Sequence, residues 1–310
     1  MTNTYYDVPL LKAPVWTWEV PVYFFVGGAA GGAAIIANVA RWSGANEALV
    51  RDARWLAAAG GPVSAGLLTA DLGRPERFIN MMRVFKPQSA MSVGSWMLAA
   101  FSASSTAAVL PVRALAGAGT ITSGLLGCGM LTYTGVLIGA TAIPVWHEHV
   151  GTLPLHFAAS GMASAAALLT LMGHDEPALN RIAMGAAAVE TAIGASIELQ
   201  PSAASEPLRS GPSGWVIRAG GVLSGPVPLI CRAAGTSRLR RVASLAALTG
   251  SLLTRIGWIL AGRASAEGRV TLRRGMATAE ISEAMERAEG DPLSVASIAS
   301  PISSKIAVQF

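Results

Sequence analysis

The sequence predicts an all-α membrane protein of about eight transmembrane helices. Three observations carry that reading. Of the 310 residues, 52% are hydrophobic and mean hydropathy is +0.48. Charged residues make up 13%, against about 25% in an ordinary soluble domain. The apolar residues also fall into separate runs, each near the roughly 20 residues that cross the hydrocarbon. A soluble fold of this composition would have too little polar surface to face water, whereas lipid accepts an apolar exterior and demands only a satisfied backbone.

The runs can be taken in order. The first, 21–40, follows the string VWTWEV, in which Trp16 and Trp18 are placed as interfacial anchors. Asp7, Glu19 and the single cation Lys12 make a poor secretory leader, so this run reads as an uncleaved first helix. Seven more follow at 53–70, 92–112, 121–143, 153–173, 178–199, 215–234 and 242–262. The run at 215–234 holds Arg218, Pro226 and Pro228, so a kink is expected there, and seven helices is the fallback count. In GGAAGG, Gly27 and Gly31, and Gly28 and Gly32, stand four apart, a spacing that lets helix backbones meet closely in lipid. The string lies inside a membrane helix and follows no strand, so it is not a dinucleotide fingerprint. This gives three regions: an interfacial segment at 1–20, a transmembrane domain at 21–262, and a polar tail at 263–310 with helical character at 277–288.

The net charge of +5 comes mainly from cations between the runs, where topology and anionic lipid account for them. No basic helix is interleaved with aromatic residues, which argues against nucleic acid. Helix parity puts Arg41, Arg51, Arg113, Arg181 and the cations from Arg232 to Arg241 on one face. Both termini and the connection 71–91 lie on the other. The modest charge excess assigns the first face to the cytoplasm.

Cys128 and Cys231 both lie in apolar runs and read as small buried hydrophobes. Two thiolates cannot hold an iron–sulfur cluster, which takes four, or a Cys-rich zinc site. Of the four histidines only His156 falls within a run, so bis-His haem ligation is not expected. His147 and His149 flank Glu148 in a short loop that could hold a metal but reads better as solvated surface.

The residues suited to chemistry gather at run ends. Glu19 and Tyr23 are four apart, hence on one helix face. A carboxylate beside a phenol at the membrane edge can accept a proton and hold an oxygen. Asp71 closes the second run near Arg74, as a helix-end ion pair or as an orienting group. Tyr133 lies inside the fourth run and needs a partner. His156 enters the fifth. The connection DLGRPERFINMMRVFKPQSAMSVGSW at 71–96 is long for a membrane loop and mixes acid with base. Its Arg74, Arg77, Arg83 and Lys86 suit carboxylates or phosphates. Glu190, Glu198, Arg218 and Arg255 fall inside or beside apolar runs, where lone charge is costly. Glu190 is expected to pair with Arg255 or Arg218 as a structural ion pair.

The 71–96 connection resembles the hallmark loop of the NrfD/polysulfide reductase membrane-subunit family. WEVPVYFFVGGAAGGA at 18–33 resembles that family's first helix, and LTYTGVLIGATAIPVW at 131–146 and LPLHFAASG at 153–161 resemble its fourth and fifth. After residue 173 the likeness is mainly one of hydropathy. The resemblance implies two four-helix bundles and a quinone-binding membrane anchor of a respiratory oxidoreductase. Menaquinone or ubiquinone would be an exchangeable substrate, and the chain would carry no haem or cluster of its own. The partners implied are a four-cluster ferredoxin-like iron–sulfur subunit and a catalytic subunit, often a molybdopterin enzyme, at a prokaryotic plasma membrane. Glu19, Tyr23, Asp71, Tyr133 and His156 would form the quinone and proton site, with Tyr133 matching a quinone-contacting tyrosine. Arg74, Arg77, Arg83 and Lys86 would dock the partner. The rival readings are a secondary transporter and an anchor without quinone chemistry. Transporters favour broken helices with polar midplanes, whereas here polar residues gather at the edges.

Overall fold

A computed structural model describes residues 13–74, 76–200 and 202–290, with side chains through residue 267. Residues 1–12 and 291–310, which include the ends of the expected interfacial segment and polar tail, lie outside the described residues. Among the described residues no strand forms. The helices are α1 (Glu19–Trp42), α2 (Glu47–Asp71), α3 (Glu76–Arg83), α4 (Ala90–Ala107), α5 (Arg113–Gly139), α6 (Pro144–Glu148), α7 (Thr152–Leu171), α8 (Pro177–Leu199), α9 (Gly211–Ser224), α10 (Pro226–Ala233) and α11 (Ser237–Gly290). A 3-10 turn at Glu206–Leu208 precedes α9.

Local chemistry places the ends. The Asn46 side chain caps α2 by accepting from Ala48 N at 2.9 Å, and Ser89 caps α4 by accepting from Ser92 N at 3.3 Å. These caps satisfy amides that a helix start leaves free. Proline stands in the first turn of α6, α8 and α10, where its missing N–H costs nothing.

Each of the eight apolar runs falls on helix. Six helices are long and apolar enough to cross a membrane: Glu19–Trp42, Arg113–Gly139, Thr152–Leu171, Pro177–Leu199, Gly211–Ala233 and Ser237–Glu267. Two expected spans, α2 and α4, are not among them. The first turns of α2 carry Glu47, Arg51, Asp52 and Arg54, and α4 is short and rich in Ser. The break expected near the prolines is present: Gly225 separates α9 from α10, and Pro226 opens the second piece. The boundary expected at 262 falls within α11, whose helical backbone runs from Ser237 to Gly290. The chain divides into one compact unit at Ala13–Ser265 and a second, of which the helical backbone of residues 266–290 is described.

In the larger unit α1 is central and packs on α2, α5 and α7, while α4 lies against α2 and α5. GGAAGG is the reason α1 can serve three neighbours. A Cβ on Gly31 would stand 2.9 Å from Gly127 O of α5, and one on Gly32 would stand 3.0 Å from Gly161 O of α7. The two glycine pairs thus open two different faces, and backbone dispersion replaces the hydrophobic drive that lipid removes. Beyond α7, α8 contacts α7, α9 and α10. The α11 helix joins that group, since Ser251 bonds Ser160 and Ser164 of α7, and Gly250 lies against the α9 backbone. Large apolar side chains such as Leu125, Leu155, Leu199, Trp215 and Ile230 point outward. An exterior of this kind is what a bilayer requires.

Candidate functional site

The N-terminal end of α1 defines one edge of the fold. Asp71 Oδ1, at the end of α2, accepts from Thr17 Oγ1 at 2.7 Å and Thr17 N at 3.3 Å. Asp71 therefore ties down the segment entering α1 and forms no ion pair with Arg74. Trp16 stacks on Trp146 of α6, with centroids 5.3 Å apart and planes 13° from parallel. Trp146 is fully enclosed and donates from Nε1 to Trp258 O at 2.8 Å. Of the two expected interfacial anchors, then, Trp16 is packed into the fold and Trp18 stays exposed.

Within this edge Glu19 and Tyr23 occupy successive turns of α1. Tyr23 is 2% exposed and Tyr133 of α5 is 6% exposed. The two phenols are near enough to interact electrostatically. The Tyr133 ring fills the space left by Gly94 of α4, where a Cβ would stand 1.7 Å from its Cζ. Neither phenolic hydroxyl has a hydrogen-bond partner among the described residues, and Glu19 Oε2 is enclosed without one. Buried phenols ordinarily find a partner. Glu19 lies one turn from Tyr23 on α1, and Tyr133 of α5 packs against Gly94 of α4, so Glu19 Oε2 is the enclosed oxygen left without a partner at this edge.

His156 is buried as well, but its partners lie on α8 and α11. Trp258 Nε1, a donor only, points at His156 Nδ1 at 3.4 Å. That leaves the His156 proton on Nε2, which faces Glu190 Oε2 at 3.4 Å. Ser224 donates to the same Glu190 oxygen at 2.6 Å. The pairing expected for Glu190 is therefore corrected: Arg218 forks onto Glu198 at 2.7 and 2.9 Å, and Glu190 takes His156 and Ser224. Arg255 forms no salt bridge with Glu190. Its Nη1 donates to Ser160 Oγ at 2.7 Å and to Ser251 O at 3.0 Å. Its guanidinium also lies over the Phe157 ring at 5.2 Å. Sequence reasoning missed Ser160, Ser224, Ser251 and Trp258. The small hydroxyls look like helix-packing residues, and nothing in their spacing shows which charge they face.

The connection between α2 and α4 contains α3, which has no buried residue. Arg74, Arg77, Arg83 and Lys86 are all exposed, and none of their side chains forms an ion pair among the described residues. Ile79, Val84 and Phe85 are exposed beside them. Cations and apolar side chains thus share one outward surface.

The α6 loop is stitched to the turn before α9. Glu148 Oε2 accepts from Ser202 Oγ at 2.7 Å and Ser205 Oγ at 2.8 Å, and His149 Nε2 is hydrogen-bonded to Ser205 Oγ at 2.9 Å. Burial lowers the His149 pKa against the opposing pull of Glu148. Burial raises that of Glu148, but hydrogen bonds from Ser202 and Ser205 and the charges of His149 and Arg209 outweigh it, and the net direction is down. Both groups bind a proton more readily when the loop opens. The stability they add is present above their ordinary values, near 6.5 and 4.5, and is lost as pH falls through them. Protection factors over residues 144–151, with exchange rates corrected for the intrinsic pH dependence, should therefore fall on acidification, beginning below about pH 6.5. His149→Gln should remove the first step. Protection that stays constant or rises in acid would contradict the assignment.

The cysteines are not the buried hydrophobes expected. Cys128 is exposed on the α5 surface and Cys231 is half-buried, both as free thiols. The helical phase of α5 turns Cys128 outward.

A chain whose described residues form helices only, with an apolar exterior and several membrane-length helices, is a multi-pass membrane protein. The family model described as NrfD_2, polysulfide reductase, matches residues 1–268. The chain belongs to this family, whose members are membrane subunits of redox complexes. No curated protein matches the chain.

Proposed function

We propose that this protein is the quinone-reactive membrane anchor of a multisubunit respiratory oxidoreductase. It has eight membrane-crossing helices in two bundles of four, α1, α2, α4, α5 and α7, α8, α9–α10, α11. The reading is supported by Glu19 Oε2, enclosed without a partner one helical turn from Tyr23, together with the buried Tyr23 and Tyr133 rings. The phenols donate to a quinone oxygen, and Glu19, nearest the water, takes a quinol proton. Oxidation of quinol to quinone releases two electrons and two protons. The electrons pass to the nearest cluster of an iron–sulfur partner, and menaquinone or ubiquinone is the exchangeable substrate. The exposed cations of the 71–91 connection, beside Ile79 and Phe85, supply the docking surface for that partner. His156 stands apart from these groups, facing Glu190 of α8 at 3.4 Å.

The test separates pocket from docking. Tyr133→Phe keeps the ring and removes the hydroxyl. It should leave the complex assembled and slow quinone-coupled turnover about ten-fold, the size of one lost hydrogen bond of about 1.4 kcal/mol. Activity with a dye that takes electrons directly from the partner should survive. Arg77→Ala should weaken co-purification of the iron–sulfur subunit, most visibly at low salt, where the wild-type contact is least screened. Unchanged quinone turnover in Tyr133→Phe would show that the pocket is misplaced. A transporter is the rival reading that the buried Glu190–His156 pair favours; substrate flux with no quinone activity in the intact complex would select it.

A further inference from the structure

At the opposite membrane edge a cavity of about 690 Å³ opens between the end of α1, the start of α2 and the α4–α5 connection. Its walls include Arg41, Arg51, Arg54, Trp55 and, on the apolar side, Val109 and Leu110. Arg51 is already neutralised by Asp52 at 2.9 Å. The other two arginines are not. Arg41 reaches only Gly117 O, at 3.5 Å. Arg54 makes no hydrogen bond, and its Nε is enclosed without a partner. Both guanidinium-bearing residues line this one cavity. Glu47 also lines the cavity but forms no ion pair with either. An exposed and a half-buried guanidinium that line one cavity without a carboxylate partner are suited to an anion, and guanidinium forks match a phosphate.

The surroundings say what kind of phosphate this is. Arg54 stands seven residues into α2, roughly 10 Å below its start at 1.5 Å per residue. Trp42 is 69% exposed and Trp55 56% exposed, as belt residues at the interface are, and Val39, Leu110 and Leu115 offer an exposed apolar surface beside them. A soluble phosphate would gain nothing from that surface, whereas acyl chains would cover it. We infer that Arg41 and Arg54 form a binding site for the phosphate headgroup of an anionic phospholipid at the rim of α1, α2 and α5. Basic pockets between membrane helices are suited to such headgroups. The site lies at the far edge from Glu19 and Tyr133 and does not depend on the quinone reading.

The experiment uses the delipidated full chain in detergent, titrated by native mass spectrometry with phosphatidylglycerol and, separately, phosphatidylcholine. The wild type should hold phosphatidylglycerol at least about ten-fold more tightly, as expected for two cations meeting one anionic headgroup. The double variant Arg41→Gln/Arg54→Gln should lose that preference, while Arg41→Lys/Arg54→Lys, which keeps the charge, should retain most of it. The lysine pair guards against loss through misfolding. Inorganic phosphate at millimolar concentration should displace little lipid. Equal affinity for the two lipids, an unchanged preference in the glutamine pair, or displacement of phosphatidylglycerol by inorganic phosphate alone would each overturn the assignment, the last by making the ligand a soluble phosphate.

Discussion

Replacing Glu190 with alanine should destabilise the protein by about 3–5 kcal/mol, the range for removing one partner from a buried charged group. Glu190 is 1% exposed and Arg255 is 1% exposed. The guanidinium is held by Ser160 and Ser251 and by aromatic faces, none of which carries negative charge. Glu190 is the carboxylate whose charge Arg255 feels. Without it a buried cation stands uncompensated, and both His156 Nε2 and Ser224 Oγ lose their acceptor. Glu190→Gln keeps an oxygen for Ser224 and the same volume, so it should cost less than the alanine change. Thermal unfolding of the purified protein in detergent gives the comparison. If alanine and glutamine were equally harmful, the lost charge rather than packing or the Ser224 hydrogen bond would explain the position. If alanine were harmless, the cluster would be incidental.

Placing alanine at Gly94 should lower quinone-coupled turnover more than Tyr133→Phe does, by about 10²-fold, the scale on which a displacement near 1 Å acts at a reacting centre. The new methyl would stand 1.7 Å from Tyr133 Cζ and 1.8 Å from its hydroxyl oxygen. Both atoms are ring-bound and cannot yield by a rotamer wobble, so the whole phenol must leave. Overpacking of this kind also costs about 1–3 kcal/mol of stability. A second change, Tyr133→Ala, should relieve the clash in the Gly94→Ala protein without restoring turnover, because the space is regained and the hydroxyl is not. Full quinone activity in Gly94→Ala would show that Tyr133 does not touch substrate.

Much of the architecture was legible in the chain. An apolar run near 20 residues must be a helix in lipid, because no other local structure satisfies its backbone. The runs therefore fell on helices even where, as in α2, charge in the first turns keeps the segment below the hydropathy of a plain span. Glycines four apart in α1 announced close packing, and the 3.6-residue period put Glu19 and Tyr23 on one face. Pro226 announced the break before α10.

Partners across helices were not legible. Glu190 could have met Arg255 or Arg218 as well as His156, and Tyr133 could have faced lipid as readily as Gly94. Cys128 looked buried because its neighbours are apolar, yet the rotation of α5 turns it out. Composition and period act within one helix: they determine that it forms, where it is capped and which residues share a face. Which face meets which neighbour depends on helix crossings such as Gly31 on Gly127, Gly32 on Gly161 and Gly250 on the α9 backbone. Those contacts join residues far apart in the chain, and their depth and rotation decide which buried charge finds an acceptor.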